Sequence, residues 1–133
     1  MFTTSLNTNE RKLFLSLAFY ISFLDGQFTF DEKEMIRSFI KRTRYEIPLS
    51  ISELNKEELL EKFKKLKKSS ARKIIIDLLY IANSDGEFSK NERDFIYQLA
   101  ALHNMDEEEI LSITQILQEI NKLYFKLGNY VNN

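Results

Sequence analysis

The chain has 133 residues, 44% of them hydrophobic and 29% charged, with a formal net charge of −1; this suffices for one domain with its own core and excludes a disordered or low-complexity chain. The lack of Cys and a single His, His103, exclude disulfides, thiolate metal centres and any multi-histidine site within the chain. One Pro and three Gly favour helices over a many-turned β fold.

Asn7-Thr8-Asn9-Glu10 fits a capping box and predicts a helix from about Thr8 to Leu24. Its stretch LFLSLAFYISFL, residues 13–24, carries no charge. It is too short to span a bilayer and has no small-residue cleavage site after it, so it reads as a buried helix of an intracellular protein. Gly26 stops it, and Thr29-Phe30-Asp31-Glu32 opens a second helix to about Thr43, with Met35, Ile36, Phe39 and Ile40 on one face. Residues 44–54, punctuated by Pro48, are irregular. Asn55 opens a third helix with Leu59, Leu60, Phe63 and Leu66 inward. Ser69-Ser70 is predicted to break it and cap the next, about 71–84, which is apolar nearly all round and therefore central.

Gly86 ends that helix, and Ser89-Lys90-Asn91-Glu92 opens another to about His103. His103, near a helix C-terminus, reads as a cap rather than a catalyst. Asp106 caps the last helix, about 107–127, whose first-turn acids compensate the macrodipole. Ile110, Ile113, Leu117, Ile120, Tyr124 and Leu127 follow a 3,4,3,4,3 spacing. Most of this helix is expected to pack within the chain, with the residues after Leu127 frayed.

The expected fold is therefore all-α: about six helices in two pseudo-symmetric three-helix halves, one domain over 1–133 with an internal duplication of about 8–66 and 70–127. The clearest sign is a phrase written twice, DGQFTFDE at 25–32 and DGEFSKNE at 85–92. At the same offset of 60, Tyr20-Ile21 matches Tyr80-Ile81, and Met35-Ile36 matches Phe95-Ile96. Capping explains the Gly, the hydroxyl residue and the Glu, and core packing the Phe. Capping does not explain Asp25 and Asp85, which fall at the negative end of a helix macrodipole. With Glu32 and Glu92 one short loop away, carboxylates facing a turn of backbone carbonyls suit a hard divalent cation. An EF-hand register aligned on Gly86 puts Asp85, Glu87, Ser89 and Glu92 at ligand positions, but its first position is Ile81, and Ile21 in the other copy. A standard EF-hand is thereby set aside.

A helical duplication with Asp-Gly-x-Phe after an apolar helix and a Glu at the next helix start resembles the tellurite-resistance TerB family, over roughly residues 10–127. The resemblance implies a TerB-like helical bundle with an acidic divalent-metal site formed by the two turns, and a cytoplasmic role near membranes in bacterial metal or stress response. Carried over by motif position, the metal ligands are Asp25, Glu32, Asp85 and Glu92, with Glu87 as a further candidate. Gln27 departs from the pattern, where an acid would be typical. Oxygen-only ligands favour Ca²⁺, with Mg²⁺ or Mn²⁺ as alternatives.

The charge is unevenly spread: residues 37–73 hold 12 Lys and Arg against 5 Asp and Glu, and residues 74–133 hold 4 against 10. Within KFKKLKKSSARK, residues 62–73, Lys64, Lys65, Lys67 and Lys68 form a candidate anionic-surface patch, weighed against a plain solvated helix face. No nucleic-acid-reading motif accompanies it. No phosphate loop or nucleophile–base arrangement is present, so the chain reads as non-enzymatic. The two functions in contention are a metal-binding or metal-sensing module and a metal-free interaction or anionic-surface-binding domain. Stress-response proteins and membrane surfaces are the candidate partners, and the chain is expected as a monomer or weak homodimer.

Overall fold

The computed structural model describes residues 1–24, Glu34, 55–83 and 89–132. A short 3-10 turn, Thr3–Ser5, precedes five α-helices among the described residues: α1 Thr8–Ser22, α2 Lys56–Lys64, α3 Lys68–Ala82, α4 Lys90–Ala101 and α5 Glu107–Asn132. No strand occurs among the described residues. The helix expected to open at Thr29 and the irregular segment 44–54 lie outside them, apart from the helical Glu34.

Local sequence chemistry sets most helix starts. The Asn7 side chain accepts from the Glu10 N–H at 2.9 Å, and the Glu10 carboxylate accepts from the Asn7 N–H at 3.0 Å, the reciprocal capping box. Asn55, Ser89 and Asp106 likewise accept from the N–H three residues on, Glu58, Glu92 and Glu109. The α4 end closes with Asn104 at φ 59°, and its neighbours form the paired bonds of a Schellman motif, Met105 N–H to Ala100 O and Asn104 N–H to Ala101 O.

The serine pair behaves differently from expectation. The N-cap of α3 is Lys67, without a side-chain cap bond, and Ser69 and Ser70 lie in the first helical turn. Ser70 is buried near the Glu10 carboxylate, whose charge its hydroxyl favours. The hydroxyl thus serves a tertiary contact instead of a cap.

Helix α3 is central. It packs against α1, α4, α5 and the 3-10 turn, and Ile74, Ile75, Leu78 and Leu79 have essentially no exposure. Its buried pattern repeats that of α1: Phe14/Ile74, Leu15/Ile75, Leu17/Asp77, Ala18/Leu78, Phe19/Leu79 and Ile21/Ile81 are buried at both members, and Tyr20/Tyr80 are half-buried. Both helices have 15 residues, and their bounds lie 60 positions apart.

One member of that set is a carboxylate. Asp77 has 0% exposure in the middle of the core. It accepts from the N–H groups of Phe2 (2.9 and 3.1 Å) and Thr3 (2.8 Å) and from the Thr3 hydroxyl, and the Met1 amino group lies 3.3 Å away. These bonds fasten the chain's first residues onto α3, and no buried side-chain nitrogen or oxygen among the described residues lacks a partner.

The last helix corrects two expectations. It continues through Asn132, so residues 128–132 are helical. Only Ile110 and Leu117 of its apolar residues are buried, and Ile113 and Ile120 are half-buried, while Tyr124 and Leu127 are exposed. The body formed by α3 and α4 is shorter than a helix of 26 residues, so the seam outruns its cover.

Replacing Asp77 with Ala leaves the two buried Thr3 donors and the part-buried Phe2 N–H without a partner. Urea denaturation of Asp77→Ala is expected to give a loss of about 2–4 kcal/mol. A loss under about 0.5 kcal/mol, the range of ordinary surface substitutions, would contradict this.

Candidate functional site

The twice-written phrase leaves α1 and α3 at corresponding ends. Asp25, Glu32, Asp85 and Glu87 lie outside the described residues, so of the five candidate metal ligands Glu92 alone lies among them. Glu92 is in the first turn of α4, 8% exposed, with its N–H held by the Ser89 hydroxyl at 3.1 Å. Among the described residues no group of three acidic, His or Cys side chains converges. The donor set itself fits a hard cation: all five candidates are carboxylates, whose oxygens suit Ca²⁺ and Mg²⁺ rather than a soft metal.

What the described residues do bring together is the end of α1 and the start of α4. Leu24, the residue before Asp25, and Asn91, the residue before Glu92, line one cleft of about 220 Å³ with Tyr20, Lys56, Asp94, Phe95 and Gln98. The Tyr20 ring packs on Phe95 with centroids 4.8 Å apart. Burial, and the charge of Glu57, push the Tyr20 phenol above its ordinary value.

The opposite end carries the basic run. A cleft of about 670 Å³ runs between α1 and α2, floored by Leu13, Leu59 and Leu66 and rimmed by Lys12, Lys62, Lys65 and Lys67. Of the four candidate patch lysines, Lys65 and Lys67 line this cleft, while Lys64 and Lys68 are exposed outside its lining. Lys62 pairs with Glu58 at 3.0 Å and Lys65 with Glu61 at 4.0 Å, one turn back on the same helix. Such exposed pairs contribute little stability, but they partly neutralise the rim.

Glu10 lies in the same cleft and is 8% exposed. Burial pushes its carboxyl up. The Ser70 hydroxyl, the Asn7 N–H and the charges of Lys67 and Lys73 outweigh that and hold it below its ordinary value. The lone histidine is a structural pin. His103 is buried, its Nε2–H donates to the Phe63 carbonyl at 2.7 Å, and its ring meets the Phe63 ring edge-on at 5.0 Å. It therefore caps the end of α2, a helix 40 positions away, instead of its own.

Sequence reasoning passed over Asp77 and the Glu10–Ser70 pair. The available signal for Asp77 was a single acid inside IIIDLLYIA, a run otherwise too apolar to keep one without a buried purpose.

The Glu10 carboxylate is favoured ionised in the folded state, so its stabilisation is present above the ordinary carboxylate pKa and is lost as pH falls through the lowered one. Glu10→Gln is expected to cost about 1 kcal/mol at neutral pH, with the gap from the parent closing in acid; a gap that stays constant across a pH series of urea melts would contradict it. For the basic rim, binding of the chain to vesicles rich in anionic lipid is expected at low salt and is lost near physiological salt, where the screening length is about 8 Å. Binding that survives physiological salt would show a stronger site than these paired lysines supply.

No family model, no curated protein and no solved structure matches the chain.

Proposed function

We propose that the chain is a non-enzymatic metal-binding or metal-sensing module of TerB-like type, with a divalent cation held by its two Asp-Gly-x-Phe turns. In this reading the fold is six helices in two pseudo-symmetric halves, about 8–66 and 70–127, and Asp25, Glu32, Asp85, Glu87 and Glu92 are the ligand candidates. A cation there would balance Asp25 and Asp85, which the sequence puts at unfavourable helix ends. Its setting would be cytoplasmic, in bacterial tellurite or metal stress response.

The observation that carries the reading is the 60-residue register. Helices α1 and α3 share length, bounds and buried face at that offset, which is also the offset of the repeated phrase. Two turns leaving equivalent helices at equivalent positions are related as a pair. The shared cleft of Leu24 and Asn91 adds that α1 ends beside the start of α4. A bare capping function needs no such pairing, and needs no Asp before the Gly.

A second reading, a metal-free domain for interaction with proteins or anionic surfaces through residues 62–73, draws on the lysine-rimmed cleft between α1 and α2. The partial pairing of those lysines with Glu58 and Glu61 weighs against it. No helix among the described residues is long and apolar enough to cross a membrane.

Melting the chain in EDTA and then with Ca²⁺, Mg²⁺, Mn²⁺ or Zn²⁺ separates the two. A cation that binds only the folded state adds about 2.7 kcal/mol at roughly 100 times its Kd. Asp85→Asn is expected to abolish most of that response yet leave the metal-free protein as stable or more so, because it removes repulsion and keeps a capping side chain. Ser89→Ala is expected to cost about 1 kcal/mol with or without metal, through the lost cap of α4. If no cation shifts the melt and Asp85→Asn destabilises the metal-free chain, the turns are structural only.

A further inference from the structure

Helix α5 carries an apolar seam along its whole length, and the body covers only the beginning of it. Ile110 and Leu117 are buried against the body of α3 and α4. The same 3,4 seam continues through Tyr124, Leu127 and Val131, at 70%, 61% and 77% exposure, and Ile116, Leu123 and Tyr130 widen it on one side, at 57%, 58% and 81%. On the other side stand Thr114, Asn121 and Gly128, all short. From Ile110 to Val131 no charge occupies the seam or either flank; Glu119, Lys122 and Lys126 lie on the far face.

Gly128 is a second, independent observation. It lies inside α5, where Gly costs about 1 kcal/mol relative to Ala. A Cβ placed on it would meet nothing within 4 Å, so among the described residues no contact requires the glycine.

We propose that a second copy of the chain covers this seam, the two α5 helices pairing antiparallel about a two-fold axis near Leu123 and Tyr124. An uncharged face meets itself without like-charge repulsion, and a 3,4 repeat is the spacing by which one helix seats on another. The direction follows from the body. It covers the start of the seam from the Thr114 side and leaves Ile116 exposed, so a partner helix lies along the Ile116 side, and a parallel partner would bring the two bodies into one place. An antiparallel partner leaves each body at the far end of the other's helix. Ile116 then meets Tyr130 of the partner subunit, Leu123 meets its own copy, and the short flank lets the backbones approach at Gly128. Covering six apolar side chains per copy at roughly 100 Å² each removes about 1,200 Å² in total, the lower edge of stable specific interfaces. Interfacial membrane helices present a lysine-rich polar face, and α5 offers there only Lys122 and Lys126 against Glu119.

Sedimentation of the full chain over a concentration series tests this. A reversible dimer is expected. Tyr124→Glu and Leu127→Glu should each weaken it by roughly a hundredfold or more, since the first places two carboxylates beside the axis and the second buries one on each side of it. Both positions are exposed within one chain, so circular dichroism and the melt of the body should hold. Lys122→Glu, on the far face, should leave association unchanged. The chain has no cysteine, so an Ile116→Cys protein mixed with a Tyr130→Cys protein should cross-link to each other, and Leu123→Cys to itself. A parent that stays monomeric at every soluble concentration overturns the proposal, as does a dimer indifferent to both glutamates. Failure of the 116–130 cross-link overturns the antiparallel arrangement, and a monomer that sediments with lipid vesicles through Tyr124 and Leu127 assigns the seam to a lipid surface instead.

Discussion

A carboxylate with no exposure, set in the middle of the central helix, has to be met by donors from the protein itself. Asp77 imposes that constraint, and the first residues of the chain satisfy it with two backbone N–H groups and the Thr3 hydroxyl. The 3-10 turn is thereby held against α3, and α1 follows directly from it at the Asn7 capping box. The Ser70 hydroxyl favours the charge of Glu10 in that box, so the starts of α1 and α3 meet a second time. Polar bonds of this kind add modest net stability while they are made and cost much more when half of one is removed. They fix how α1 sits on α3, which the apolar contacts alone, Leu for Ile, would hold less specifically.

That fixed pairing organises the rest. The end of α1 lies beside the first turn of α4. The lysine-rimmed cleft and the His103–Phe63 pin belong to the other ends of α1 and α2. Lysines gather where α2 turns into α3, and Glu92 lies in the first turn of α4. Helix α5 stands apart from both, too long for the body it packs on and apolar beyond it.

How much of this was legible depended on the range of the interaction. Asn7, Asn55, Ser89 and Asp106 were readable as caps because each bonds to an N–H three residues away. The offset of 60 was readable because both helices repeat the same spacing of large apolar residues. Asp77 and His103 were not, since their partners lie 74–75 and 40 positions away and only the packed chain brings them close. Ser70 looked like a cap because short hydroxyl residues usually are, but it lies buried inside the first turn of α3. The outer half of α5 misled for a different reason: a 3,4 seam has the same pattern whether its own body or another molecule covers it. Of the candidate metal site, the sequence supplies the repeated acids and their pairing, and the described residues supply Glu92 and the cleft between Leu24 and Asn91.

The central claim is that two equivalent turns act together on one cation, and binding stoichiometry tests it most directly. Isothermal titration of the metal-free chain with Ca²⁺ is predicted to give one ion bound per chain, with Asp25→Asn and Asp85→Asn each removing the same single event. Absence of any binding heat for Ca²⁺, Mg²⁺ and Mn²⁺ would contradict the account, and so would two independent events of which each substitution removes only its own.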